Sequence, residues 1–227
     1  MGKAISIVIP AWNEEIRITE TLSALQDLAD TYSAEIIVVD DGSRDATFQQ
    51  AMRWKARVIR HPWNMGKGRA METGWQASRG DILLFLDADL GTSAAFAWKL
   101  LDPVLAGEAD MTIAVLPPAE RKGGFGLVKG LASAGVRMLA GFDSRAPLSG
   151  QRAVRRQVLE QVGGFSRGFG IEVGLTIDAA RKGFVIQELA VPFRHRESGR
   201  DWQGVVHRGR QLIHVGRTLL DKWREPV

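Results

Sequence analysis

Residues 83–93, LLFLDADLGTS, run from four large apolar side chains into Asp87 and Asp89, with only Ala88 between the two acids. In an extended segment, residues i and i+2 project the same way, so both carboxylates can face one ligand. Such hard oxygen donors suit Mg2+ or Mn2+, with phosphate and water completing the shell. A second acidic stretch, IIVVDDGS, sets Asp40 and Asp41 before Gly42 and Ser43. Acids there can accept hydrogen bonds from the N–H and O–H groups of a nucleotide base or ribose. IPAWNEE adds Pro10, Trp12 as a stacking surface and Glu14 as an acceptor. In NMGKG, glycine lets backbone approach a phosphate, Lys67 adds charge, and Gly68 opens a helix whose amino end favours an anion. The loop is not a Walker loop, because Gly68 stands where Ser or Thr belongs. Nor is it the dinucleotide fingerprint, because Met71 takes the third glycine position. Each motif alone also admits a plainer reading: capping aspartates, helix-start acids or a flexible loop.

Positioning these groups requires regular elements. AISIVIP, EIIVVD, ARVIRH, ILLFL and ADMTIAV read as short strands. Between them lie helical patterns at 14–30, after Ser43 or Asp45, from NMGKG to about Ser78, and from Ser93 to about Leu105. Strands alternating with helices predict a parallel, doubly wound sheet, in which ligands bind at the carboxyl ends of the strands. Asp40, Asp41, Asp87 and Asp89 all fall at or just past strand ends, hence on one rim. A rim so rich in carboxylates repels itself unless a cation sits there.

The second part of the chain reads differently. Residues 1–116 carry 11 Lys+Arg and 16 Asp+Glu, net −5, whereas residues 117–227 carry 19 and 10, net +9. RKGGFGLVKGLASAGVRMLAGF is basic, glycine-rich and loosely helical. LSGQRAV reads as a short strand or loop, followed by a helix to Val162, a helix over 171–182 and a strand over 184–190. From Trp202 to Trp223 a last helix repeats apolar residues every seven: Val205, Leu212, Leu219 and Val206, Ile213, Leu220. That stripe can pack on the domain, lie on a membrane surface or form a dimer seam.

The composition excludes several classes. The chain has no cysteine, which rules out disulfides and thiolate chemistry and suits a reducing compartment. The histidines show no metal spacing. No segment reads as a signal peptide or offers the ~18 apolar residues of a membrane span. A nucleic-acid-binding role lacks any recognition motif, and the rim acids oppose it.

Taken in order, PAWNEE, VDDGSRDAT, NMGKGRAM and LDADL resemble the family-2 glycosyltransferases over residues 5–115. The resemblance implies a GT-A (nucleotide-diphospho-sugar transferase) fold: a mostly parallel sheet flanked by helices, with a C-terminal helical extension. It assigns nucleotide-sugar binding to Pro10, Trp12, Glu14, Asp40, Asp41, Gly42, Lys67, Gly68, Asp87 and Ala88. It assigns Mg2+ or Mn2+ to Asp87 and Asp89, with Asp89 also counted as catalytic. SGQRAVRRQVLEQVGGF and GIEVGLTIDAARKGFVIQELAVPFRHRESGR resemble polyprenyl-phosphate sugar synthases such as dolichol-phosphate mannose synthase. By that resemblance Arg121, Arg137, Arg152 and Arg196 bind an acceptor phosphate, and Glu172 acts as general base if the acceptor is a hydroxyl. Two departures stand out: Gly91 replaces a common Gln, and the transmembrane helices of some members are missing.

The expectation is one glycosyltransferase domain over 1–200, with 1–116 as the nucleotide-sugar half and 117–200 as the acceptor half. An amphipathic helix over 201–227 follows. The enzyme is expected to be an inverting hexosyltransferase of the cytoplasm, peripheral on the inner membrane face, moving a sugar to a polyprenyl phosphate. The alternative is the same fold acting on a soluble phosphorylated acceptor or a cell-surface glycan. No nucleic-acid partner is expected.

Overall fold

The computed structural model describes residues 3–117, 126–165, 170–194 and 202–225, with backbone alone for 202–211. The first strand, β1 (Ile5–Ala11), is buried on both faces. Such continuous apolar runs belong to the middle of a parallel sheet covered on both sides. The strands β2 (Glu35–Asp40), β3 (Arg57–Arg60), β4 (Ile82–Phe85), β5 (Met111–Val115), β6 (Arg152–Arg155) and β7 (Ile186–Ala190) complete it. Their order is β3-β2-β1-β4-β6-β5-β7. All neighbours run parallel except β6, which is antiparallel to both β4 and β5.

That one reversal shapes the site. The carboxyl ends of β1, β2 and β4 open on one rim, and reversed β6 brings its amino end to the same rim. Phe85 pairs with Arg152 in the β4–β6 register. Continued one and two residues beyond the strands, this register sets Asp87 beside Gly150.

Side chains alternate between two layers. Ile5, Ile7 and Ile9 point to a core shared with α1 (Ile18–Tyr32), a 3-10 helix (Gly91–Ala97) and α4 (Trp98–Ala106). Val8, Leu83 and Phe85 point to the other face, toward α3 (Lys67–Ala77), α6 (Arg156–Val162) and α7 (Ile171–Arg181). A short helix, α2 (Thr47–Ala51), follows β2. A third cluster joins α5 (Gly126–Ala140), α7 and α8 (Trp202–Arg224) through Val128, Val136, Val173, Ile177 and Val215. The last helix therefore packs on the domain. Val215, outside both heptad repeats, is fully buried and Leu219 turns inward, whereas Leu212 of the first repeat and Ile213 and Leu220 of the second are exposed. Among the described residues no helix is long and apolar enough to cross a membrane.

Candidate functional site

A crevice of about 260 Å³ opens at the strand ends. Its walls include Pro10 at the end of β1, Trp12 and Glu14 after it, Asp41 after β2, Lys67 at the start of α3, and Asp87, Ala88 and Asp89 after β4. Four stretches far apart in sequence thus meet in one place.

The DAD turn is clamped from below. The Thr21 hydroxyl, fully buried in α1, donates to the Ala88 carbonyl at 2.8 Å and accepts from the Gly91 amide at 2.8 Å. Leu86 continues the ladder through its amide to the Val8 carbonyl at 3.1 Å. Both carboxylates therefore stand on a fixed backbone and are only partly buried.

Asp40 and Asp41 differ in role. Asp40 has no exposed surface; it accepts from the Ser43 amide and lies 3.1 Å from the Arg60 guanidinium. Asp41 reaches the crevice but is also tied to the next loop. It accepts from the Met65 amide at 2.9 Å, the Gly66 amide at 2.8 Å and contacts His61 Nδ1 at 2.7 Å. That carboxylate thus shapes the NMGKG loop as well as the crevice wall. Between the strand and this loop, Gly42 adopts φ 69°, and a side chain there would collide with the Trp63 backbone. Asn13, at φ 55°, and Glu14 are stapled to the 43–47 segment through their amides to Ser43 Oγ and Thr47 Oγ1. Trp12 remains half exposed at the mouth, where a flat ligand can stack.

Lys67 is the electrostatic centre. Its ammonium lies 2.7 Å from Asp87 Oδ1 and 3.6 Å from Glu172 Oε1. Burial works to lower its pKa, but Asp87, Glu172 and Asp89 overcome that and hold it well above the ordinary 10.5. Gly68 follows in the first turn of α3. Glu172, nearly buried in the first turn of α7, completes the cluster from the other half of the chain.

The four arginines separate. Arg152 is fully buried: it donates to the Ser149 carbonyl at 2.6 Å, the Glu172 carbonyl at 3.3 Å and Thr176 Oγ1 at 3.4 Å. Burial pulls its pKa down to about 10, against the pull of Glu172 and Glu188, so it stays charged at neutral pH. As placed, it braces the start of α7 rather than facing the crevice. Arg137 is exposed on α5 and does not line the crevice. Arg121 and Arg196 lie outside the described residues.

The motif reading had not singled out Thr21, His61 as the Asp41 partner, or Gln151. Gln151 Nε2 donates to Asp87 Oδ2 at 2.5 Å. In sequence LSGQRAV reads only as a short strand or loop, and nothing in it marks Gln151 before the strand direction is known.

Among the described residues no group of three or more His, Cys, Asp or Glu can hold an ion alone. The paired carboxylates of Asp87 and Asp89 instead fit a hard cation completed by ligand phosphate. With Lys67 and the amino end of α3 beside them, the crevice suits a diphosphate on that cation.

Known proteins agree with this picture. The model described as Glycosyl transferase family 2 matches residues 6–163. Glucosyl-3-phosphoglycerate synthase of Mycobacterium tuberculosis is 33% identical over 204 residues, covering 78% of this chain and 61% of that protein. Dolichol-phosphate mannosyltransferase of Pyrococcus furiosus is 29% identical over 234 residues, covering 97% of this chain and 62% of that protein. The chain thus spans somewhat less than two thirds of the curated relatives it matches. The crystal structure of the Mycobacterium tuberculosis synthase with Mn2+, uridine diphosphate and phosphoglyceric acid superposes with a TM-score of 0.82 at 30% identity. It covers all of this chain and 80% of that one. The GT-A fold expected from the sequence is the fold found.

Proposed function

This chain belongs to glycosyl transferase family 2, and from that premise we propose that it moves a sugar from a uridine-diphosphate donor to a small phosphorylated acceptor. One observation carries the reading: Lys67 joins the diphosphate wall at Asp87 to Glu172 on the acceptor side, across 2.7 and 3.6 Å. In this reading the pairing sets the acceptor base beside the diphosphate wall.

Asp87 and Asp89 would hold the Mg2+ or Mn2+. That ion, when bound, supplies positive charge where the leaving diphosphate gathers negative charge. Lys67 adds its own charge there, and Trp12 and Asp41 line the nucleotide end. Glu172 takes the proton of the acceptor hydroxyl as its oxygen bonds to the anomeric carbon and the bond to the diphosphate breaks. Attack from the face opposite the leaving group inverts that carbon. The acceptor phosphate falls to arginines of the basic half; with Arg137 away from the crevice, Arg121 and Arg196 are the remaining candidates from the sequence. Arg152 supports Glu172 from beneath.

The sequence pointed first to a polyprenyl phosphate at a membrane. The relatives support the soluble phosphorylated acceptor more strongly: the synthase structures hold phosphoglyceric acid or glycerol 3-phosphate. The lipid reading keeps one support, the archaeal mannosyltransferase that aligns with nearly the whole chain, and with it goes a peripheral seat on a membrane.

The test is a turnover assay with Mn2+ and a panel of nucleotide sugars. Each is paired with phosphoglyceric acid, glycerol 3-phosphate or a short polyprenyl phosphate, and release of nucleoside diphosphate is followed. Release that requires a soluble phosphorylated hydroxy compound is the expected result. Release that requires the lipid instead would overturn the choice of acceptor. Full activity in Asp89→Ala would overturn the metal site.

A further inference from the structure

We propose that Gln151 is a positioning residue of the metal-facing wall, acting by fixing the Asp87 carboxylate in one orientation; this rests on the glycosyltransferase reading above. The Asp87 carboxylate is held at both ends. Lys67 Nζ takes Oδ1 at 2.7 Å, and Gln151 Nε2 takes Oδ2 at 2.5 Å. The lysine is a long flexible side chain that also leans toward Glu172. The amide holds the second carboxylate oxygen from the opposite side.

Gln151 is itself rigid. It is 1% exposed, and its carbonyl accepts from the Ala114 amide of β5 at 2.9 Å. The Ser149 hydroxyl donates to its Oε1 at 3.1 Å. A carboxylate can only accept, so the amide must turn nitrogen toward Asp87 and oxygen toward Ser149. Gly150 completes the device: a side chain there would fall on Lys67 Nζ. The run Ser149-Gly150-Gln151 is therefore shaped around Asp87 and Lys67 together.

The chemistry of the side chain matters. An amide orients a carboxylate without neutralising it. A second cation in its place would compete with the divalent ion for Asp87. Partners of this kind, one shell out from a metal, commonly change affinity by roughly 10–100-fold when removed.

The experiment is a Mn2+ titration in the presence of uridine diphosphate, read from the electron paramagnetic resonance signal of the free ion. It compares the unmodified protein with Gln151→Leu, Gln151→Met and Ser149→Ala. Melting temperatures of the metal-free proteins accompany it. The expected result is Mn2+ affinity weakened roughly 10–100-fold in Gln151→Leu, and less in Ser149→Ala, with melting nearly unchanged. In turnover, the Mn2+ concentration for half-maximal rate rises while the acceptor KM holds. Equal Mn2+ affinity in the unmodified protein and Gln151→Leu would overturn the proposal alone. Failure of the unmodified protein to bind Mn2+ would overturn the metal-dependent transfer proposed above with it. If Gln151→Leu does not fold, Gln151→Met decides; failure of both to fold makes the residue structural and overturns the proposal.

Discussion

As the proposed general base, Glu172 would separate the two acceptor chemistries at a single side chain. A hydroxyl must lose a proton as it attacks, whereas a phosphate monoester is already ionised near neutral pH. Glu172→Gln should therefore lower kcat on a hydroxyl acceptor by about 10²–10⁴-fold, with little change in donor KM. On a polyprenyl phosphate the same variant should lose far less. Steady-state kinetics with both acceptors checks this. Lys67 yields a prediction about pH. Its carboxylate neighbours raise its pKa above the ordinary 10.5, so the folded state holds the proton more tightly than the unfolded chain. The stabilisation is fully present below pH 10.5 and is lost as pH rises through the higher folded value. The melting-temperature gap between the protein and Lys67→Met should thus be flat from about pH 6 to 9 and narrow only above about 10.5. A gap that closes near neutral pH would contradict this placement of the ammonium. At this scale the sequence was informative where chemistry repeats locally: DAD, DDGS, WNEE and GKG name their own residues. It was silent on partners. Nothing in the spacing pairs Lys67 with Glu172, because that pairing is made by the fold.

The turn that carries DAD depends on a helix residue 67 positions before Ala88. Thr21 serves the Ala88 carbonyl and the Gly91 amide at once, in a site with no exposed surface. Thr21→Val keeps the shape and removes both bonds. Each buried backbone group left unpaired costs about 1–3 kcal/mol. Urea unfolding should register that loss, and turnover should fall as the turn loosens under Asp87 and Asp89. Unchanged stability would mean that water or a backbone shift replaces the hydroxyl. Of the elements, β1 to β5 and their helices were legible: β1, β2, β4 and β5 are buried apolar runs, edge strand β3 carries the β-branched pair Val58-Ile59, and the helices carry a 3.6-residue stripe. The direction of β6 was not. RAVR has only four residues, and a strand buried on both faces carries no mark of its polarity. Yet that direction brings Ser149, Gly150 and Gln151 to the rim, so the part of the site contributed by β6 was hidden with it.

At the scale of the molecule, the crevice is lined from the acidic half, and the C-terminal helix packs within the basic half, on α5 and α7. Lys222 of α8 reaches Asp178 of α7 at 2.8 Å, both largely buried. Burial works to lower the Lys222 pKa, but Asp178 and Glu225 raise it overall. The heptad spacing announced a helix with an apolar face but left its partner open. An amphipathic stripe looks the same whether it meets its own domain, a lipid surface or a second chain. The packing is settled by Gly135 and Gly170, which leave room for Leu219 and Thr218. Gly170 immediately precedes the helix that begins with Ile171 and Glu172. A methyl group there would strike Thr218 and push α8 away from the start of α7. Gly170→Ala should therefore destabilise the protein by about 1–3 kcal/mol through overpacking. Turnover should fall along with stability, because the helix start that holds Glu172 shifts with its brace. Adding Thr218→Ala removes the colliding atoms, so the double variant should recover part of both losses. Urea unfolding and turnover on all four members of the cycle measure the coupling between sites in contact. Strict additivity would mean that α8 does not support Glu172, the proposed general base, and that the C-terminal helix stabilises the domain without shaping its chemistry.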